Sequence, residues 1–108
     1  MKKEVSAENF KREVIENPIL SLVKFKTCWS GACQIIKPVY DELAKTYQGV
    51  VQFFSVDIEK EKTLHVEFGV MELPTILFFK GGQLIDHVVG LTPRNILVTK
   101  IENALSLN

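Results

Sequence analysis

Two apolar runs with strand character, residues 19–25 and 50–57, flank one stretch of helical periodicity, and that order leaves few folds open. Ile, Leu, Val and Phe dominate both runs, and both are too short for helices. Between them, Ile35, Ile36, Val39, Leu43 and Tyr47 recur at helical spacing from residue 32 to 47. Pro38 falls inside this stretch and is expected to kink it, and Gly49 is a stop signal. Strand, helix and strand in that order predict a parallel pair joined by a helical crossover.

The rest of the chain extends the alternation. Ser6 is a candidate N-cap for a first helix carrying Phe10, Val14 and Ile15, which ends at Asn17-Pro18. Residues 3–5 add a candidate short first strand. The charged run Glu59-Lys60-Glu61-Lys62 is read as a solvated helix face, continuing to Phe68 and closed by Gly69. Residues 75–79 form a further strand, and Gly81-Gly82 turns it into a hairpin partner over residues 84–89. Thr92-Pro93 reads as an N-cap with proline at the first helical position, before a last helix bearing Ile96, Leu97, Ile101 and Leu105. The predicted class is α/β, one domain over residues 1–108 with a central mixed sheet and helices on both faces.

Charge narrows the function. The 13 basic and 13 acidic side chains cancel, so neither nucleic acid nor a membrane surface is an expected partner. No apolar run approaches the roughly 20 residues that span a bilayer. Residues 1–6 carry no apolar leader core, so the expected location is cytoplasmic. Two cysteines are too few for a disulfide scaffold and are better read as redox-active, redox-sensing or incidental. His65 and His87 are not spaced as metal ligands with them.

The chemistry is concentrated in Cys28-Trp29-Ser30-Gly31-Ala32-Cys33, between a strand and a helix. A cysteine at a helix N-terminus is placed where the dipole and free N–H groups favour anionic sulfur. Here the sequence resembles the thioredoxin family along nearly its whole length. Trp29-Ser30-Gly31-Ala32-Cys33 stands where that family has Trp-Cys-Gly-Pro-Cys, and Pro38 follows five residues after Cys33. Pro38, Glu42, Leu43 and Ala44 are similar to its Pro-x-x-x-Glu-Leu-Ala helix, and Val56-Asp57 to its Val-Asp. Leu73-Pro74-Thr75, Phe78-Phe79-Lys80-Gly81-Gly82 and Val89-Gly90 resemble its cis-proline loop, hairpin and site glycine.

The resemblance implies a thioredoxin fold and a thiol–disulfide oxidoreductase acting on protein or low-molecular-weight thiols and disulfides. It also implies a thioredoxin reductase-like reductant, no bound cofactor and a monomer. By position, Cys33 is the reactive sulfur. Trp29, Gly31, Pro74, Thr75 and Gly90 would line a groove that takes extended substrate backbone, with a cis bond before Pro74. Three departures alter this expectation. Ser30 replaces the first cysteine and cannot serve as a thiolate nucleophile. Ala32 replaces the motif proline. Lys24 stands where the family has a buried Asp, and Ser55 where a lysine often accompanies it.

Two routes stay open. Cys33 acts alone through mixed disulfides, or Cys28 bridges to it, which requires Cα atoms within about 7 Å. Strand alternation puts Leu20, Leu22, Lys24 and Lys26 on one face, with Lys24 beneath Cys33 by the resemblance. A cation there would favour anionic sulfur, and burial would let the lysine give up its proton; alternatively Lys24 snorkels to solvent. The competing functional class is a redox-inactive peptide-binding module that uses the same groove.

Overall fold

A computed structural model describes residues 2–107. Its strands are β1 (Lys2–Glu4), β2 (Ser21–Lys26), β3 (Gln52–Asp57), β4 (Thr75–Lys80) and β5 (Gln83–Val89). Its α-helices are α1 (Gly31–Thr46), α2 (Leu64–Glu67) and α3 (Arg94–Leu105), and a π-helical turn spans Lys11–Ile15. The sheet order is β1-β3-β2-β4-β5. β1 and β2 both run parallel to β3, whereas β4 is antiparallel to β2 and to β5. This is the mixed sheet implied by the alternating pattern, and β2 is its central strand.

Each sheet face has its own core. Leu20 and Leu22 of the β2 segment pack with Phe53, Ile76 and Phe78 under Ile36, Tyr40 and Leu43 of α1 and Leu97 and Ile101 of α3. The opposite face carries Val23, Phe25, Phe54, Leu77 and Phe79, covered by Phe10, Val14 and Leu64. Alternating side chains along one strand therefore feed two layers, as a strand buried on both faces requires. Tyr40 is fully buried in the first layer. Its hydroxyl donates to the Phe54 carbonyl at 2.6 Å and also lies 3.1 Å from the Leu22 carbonyl. Burial pushes this hydroxyl well above its ordinary pKa, so it stays protonated and able to donate.

Glycine is required at the hairpin. Gly82 has φ +80, and a Cβ there would come within 2.8 Å of the Ile15 carbonyl oxygen, so the turn and the π-turn approach too closely for any side chain.

Three local expectations are corrected. Ser6 does not cap the first helical segment: its N–H donates to Asn9 Oδ1, and the segment widens into the π-turn entered from Phe10. Thr92 does not cap α3: its hydroxyl donates to the Gly90 carbonyl, and Pro93 occupies the cap position. The helix expected from residue 59 to 68 shrinks to Leu64–Glu67. The reason is Glu61. Its Oε2 accepts from the Thr63 N–H and hydroxyl and from the Leu64 N–H, while Oε1 accepts from the Ala7 N–H. A carboxylate held this way caps α2 from outside and ties it to the N-terminal segment.

The hydrogen bonds to Glu61, that from Leu64 foremost, lower its pKa to about 2. A depressed folded value stabilises the protein above the ordinary carboxylate range, near 4.3, and the contribution fades as pH falls toward the folded value. Glu61→Gln is expected to cost about 1 kcal/mol at neutral pH. Urea unfolding at several pH values should show the gap to wild type closing between pH 4.5 and about 2. A gap independent of pH would remove the charge from this account.

Candidate active site

The candidate site begins where β2 ends. After Lys26 the chain turns through Thr27, Cys28, Trp29 and Ser30 before α1 starts at Gly31. Ser30 has extended backbone (φ −87, ψ 122), and its Oγ accepts from the Cys33 N–H at 3.2 Å. It is therefore the N-cap of α1, a position at which serine is among the preferred residues. The Gln34 side-chain amide donates to the Cys28 carbonyl at 3.0 Å and clamps the turn from the other side. Cys33 lies in the first helical turn with 4% exposure, Cys28 is exposed, and both thiols are free. Gly31 is exposed with room for a Cβ, so no steric demand reserves its place for glycine.

Lys24 lies on the α1 side of β2 with only 1% of its surface exposed. The snorkelling alternative is thus excluded. Its Nζ stands 4.6 Å from the centre of the Tyr40 ring, a cation–π arrangement worth up to about 2 kcal/mol when desolvated. Lys24, Cys28 and Cys33 meet around one pocket of about 170 Å³.

Sheet register brings the remaining predicted residues to the same end of the molecule. Phe25 pairs with Thr75, so Pro74, just before β4, lies beside the outgoing end of β2. Thr75 pairs with Val89, which places Gly90 there too, and the Gly90 N–H donates to the Pro74 carbonyl at 2.7 Å. Leu73-Pro74 is cis, as the resemblance implied. Thr75 is buried and its hydroxyl donates to the Glu72 carbonyl at 2.6 Å, so this side chain braces the loop from within. Gly90 has φ +80, a conformation that L side chains rarely adopt. Trp29 stands 81% exposed at this same end.

Sequence reasoning missed several members of the site. Lys26 and Lys37 line the pocket with Lys24. Their spacing held the signal: Lys26 is two residues along the strand from Lys24, and Lys37 is four residues along the helix from Cys33. Tyr40 was not singled out at all; its hydroxyl contacts with carbonyls on two strands became visible once α1 was laid on the sheet. No group of three or more His, Cys, Asp or Glu among the described residues could hold a metal ion. No helix there is long and apolar enough to cross a membrane.

The capping bond makes a measurable demand on residue 30. Ser30→Ala should destabilise the protein by about 1 kcal/mol, whereas Ser30→Asp should keep most of that stability, because aspartate caps as well as serine. Chemical denaturation of both variants checks this; equal losses would mean that the cap bond contributes little.

The comparisons with known proteins agree with this geometry. The thioredoxin family model matches residues 1–103. Thioredoxin 1 of Nostoc sp. is 34% identical over 102 residues, covering 94% of this chain and 95% of the relative. Thioredoxin 1 of Synechococcus elongatus is 35% identical over 101 residues, covering 94% of each. Thioredoxin of Pyropia yezoensis is 32% identical over 103 residues, covering 95% of this chain and 96% of the relative. With a five-stranded mixed sheet in the thioredoxin arrangement, the chain belongs to the thioredoxin family and is a thioredoxin-like redox protein.

Proposed function

We propose that this protein is a thiol–disulfide oxidoreductase with an altered site, working through the single thiol of Cys33 on protein disulfides or mixed disulfides. The observation that carries the reading is the placement of Cys33 in the first turn of α1, on a pocket shared with Cys28 and Lys24. In the forward step the Cys33 sulfur attacks one sulfur of a disulfide. A mixed disulfide forms, and the other sulfur leaves with the electron pair of the broken bond. An external thiol, from a low-molecular-weight reductant or a reductase-like partner, then attacks the mixed disulfide and restores Cys33. Cys28 is the candidate internal thiol for that second step.

Ser30 takes no part as a nucleophile in this scheme; its hydroxyl orients the helix start through the Cys33 N–H. Trp29, Gly31, Pro74 and Gly90 form the substrate-facing end, braced from within by Thr75, where backbone around Pro74 would receive an extended segment. A second reading, peptide capture without redox chemistry, draws support from Trp29 and from Met71, which is 95% exposed just before the Pro74 loop. Retained capture of an extended peptide by Cys33→Ser, without any redox change in the wild type, would select it.

Intact mass after equilibration with glutathione disulfide tests the leading reading. One glutathione adduct on Cys33 is expected, absent in Cys33→Ser and kept in Cys28→Ser. Loss of two hydrogens without an adduct would instead identify a Cys28–Cys33 pair, and an unreactive Cys33 would overturn the redox assignment.

Lys24 is the positioning residue of this scheme. Lys24→Met is expected to slow mixed-disulfide formation at Cys33 about tenfold at neutral pH, because a buried cation beside reacting sulfur stabilises the charge passing through it. Lys24→Arg should recover part of that rate, and alkylation of the exposed Cys28 should keep its rate throughout. Equal rates in wild type and Lys24→Met would make Lys24 a bystander.

A further inference from the structure

Two carboxylates border the groove with no cation to hold them. Glu72 is exposed at the start of the Pro74 loop, and its backbone is pinned because its carbonyl accepts from the Thr75 hydroxyl at 2.6 Å. Its Oε2 lies 3.9 Å from where a Cβ on Gly90 would stand, so the carboxylate reaches across to the groove glycine. Glu59 is exposed after β3, and its Oε1 accepts from the Thr27 hydroxyl at 3.1 Å, which sets it against the turn bearing Cys28 and Trp29. Among the described residues neither acid forms an ion pair, although Lys60 and Lys62 follow Glu59 in the loop. By contrast, Lys26 has Glu4 and Asp57 beside it, and Lys37 has Asp41. Glu72 also borders a trough of about 360 Å³, within the range of about 300–1,000 Å³ usual for ligand sites. Met71, Leu84 and Val89 line this trough and are exposed. Glu72 is the only acid among its described lining residues, His87 is the other ionisable group, and no lysine or arginine is present. Apolar walls with one exposed carboxylate fit a long basic side chain, whose methylenes cover apolar surface while its charged head stays wet.

We propose that the partner segment exchanging with Cys33 is cationic, with Lys or Arg within a few residues of its reacting cysteine, and that Glu72 is the specificity-determining residue that selects it. The proposal rests on the reading of Cys33 as the reactive thiol and names the substrate class of that site. The Cys33 sulfur attacks the partner's sulfur, and the new S–S bond forms as the partner's disulfide breaks. The departing sulfur carries away the electron pair, and the Cys33 proton goes to solvent. An external low-molecular-weight thiol then reduces the mixed disulfide and restores Cys33. Glu72 and Glu59 do not touch the reacting sulfurs. They draw a basic segment toward the groove, and the basic side chain lies along Met71 and Val89 with its head at the Glu72 carboxylate. The same two charges disfavour an acidic segment, so selection comes from repulsion as well as attraction.

The test uses three otherwise identical peptides, each with one cysteine activated as a thiopyridyl disulfide and flanked by Lys, Leu or Glu. The reduced full-length chain is mixed with each, and the peptide adduct mapped to Cys33 is followed in time by intact mass. At low ionic strength the Lys peptide is expected to react about tenfold faster than the Glu peptide, with the Leu peptide between them. Added salt should shrink that ratio. Glu72→Gln should reduce the ratio to about threefold, and Glu72→Lys should bring it close to one. A merely structural role for Glu72 would slow all three peptides together and leave the ratio unchanged, which overturns the inference. Equal rates for the Lys and Glu peptides, or a Leu peptide as fast as the Lys peptide, would overturn it too. So would rates per molecule that fall as protein concentration rises, because a second copy of the chain would then fill the trough. If glutathione disulfide reacts at Cys33 and any of these results appears, the oxidoreductase reading stands without the cationic partner. If neither glutathione disulfide nor any peptide reacts, both are overturned.

Discussion

The hydroxyl of Tyr40 fixes where everything else in the site can be. It reaches from the middle of α1 to carbonyls on two adjacent strands, Leu22 of β2 and Phe54 of β3, and burial keeps it in its donating form. A helix bonded to two strands at one point, and packed on them through Ile36, Leu43 and Ala44, has little freedom to slide or roll. Its first turn therefore emerges over the end of β2, and Cys33 comes to rest near Lys24 without any loop having to hold it there. The Tyr40 ring also packs against Phe53 in a T-shaped arrangement, centroids 5.2 Å apart, so the residue that pins the helix belongs to the core as well.

The buried lysine gives this site a character of its own. An ammonium group taken from water is costly, and it persists only where the surroundings supply compensation. Part of the compensation is the Tyr40 ring beneath its Nζ. The neighbouring strand position, Ser55, is polar and uncharged, so the cation has no carboxylate in register with it on β3. Where the family resemblance implied an acid, the electrostatic sign is reversed, and Lys26 and Lys37 extend the reversal to the pocket wall.

Most of the fold was legible because strand and helix periodicities differ and the chain displays both without ambiguity. The run over residues 19–25 could be read as a strand, found at Ser21–Lys26, and the stretch through Pro38 as a helix, since each is long enough for its apolar character to declare itself. Legibility failed where a side chain from elsewhere took over a local job. Glu61 looked like one more charge on a solvated helix, yet it caps α2 and accepts from the Ala7 N–H, 54 residues away. Thr92 looked like a cap, yet its hydroxyl turned to the Gly90 carbonyl. Local propensity ranks Thr92 as a cap former and Glu61 as a surface charge, and says nothing about which backbone groups either side chain will find.

The candidate site divides along the same line. The sequence by itself determined that a thioredoxin-like chain lacks cysteine at residue 30, keeps it at residue 33 and carries lysine at residue 24, because identity and spacing are properties of the chain. Only the tertiary structure decided that Lys24 is sealed from solvent and that Lys26 and Lys37 line one small pocket with it. Burial and convergence depend on how α1 crosses β2 and on the register of β2 with β4, and both are set by packing between residues far apart in the chain.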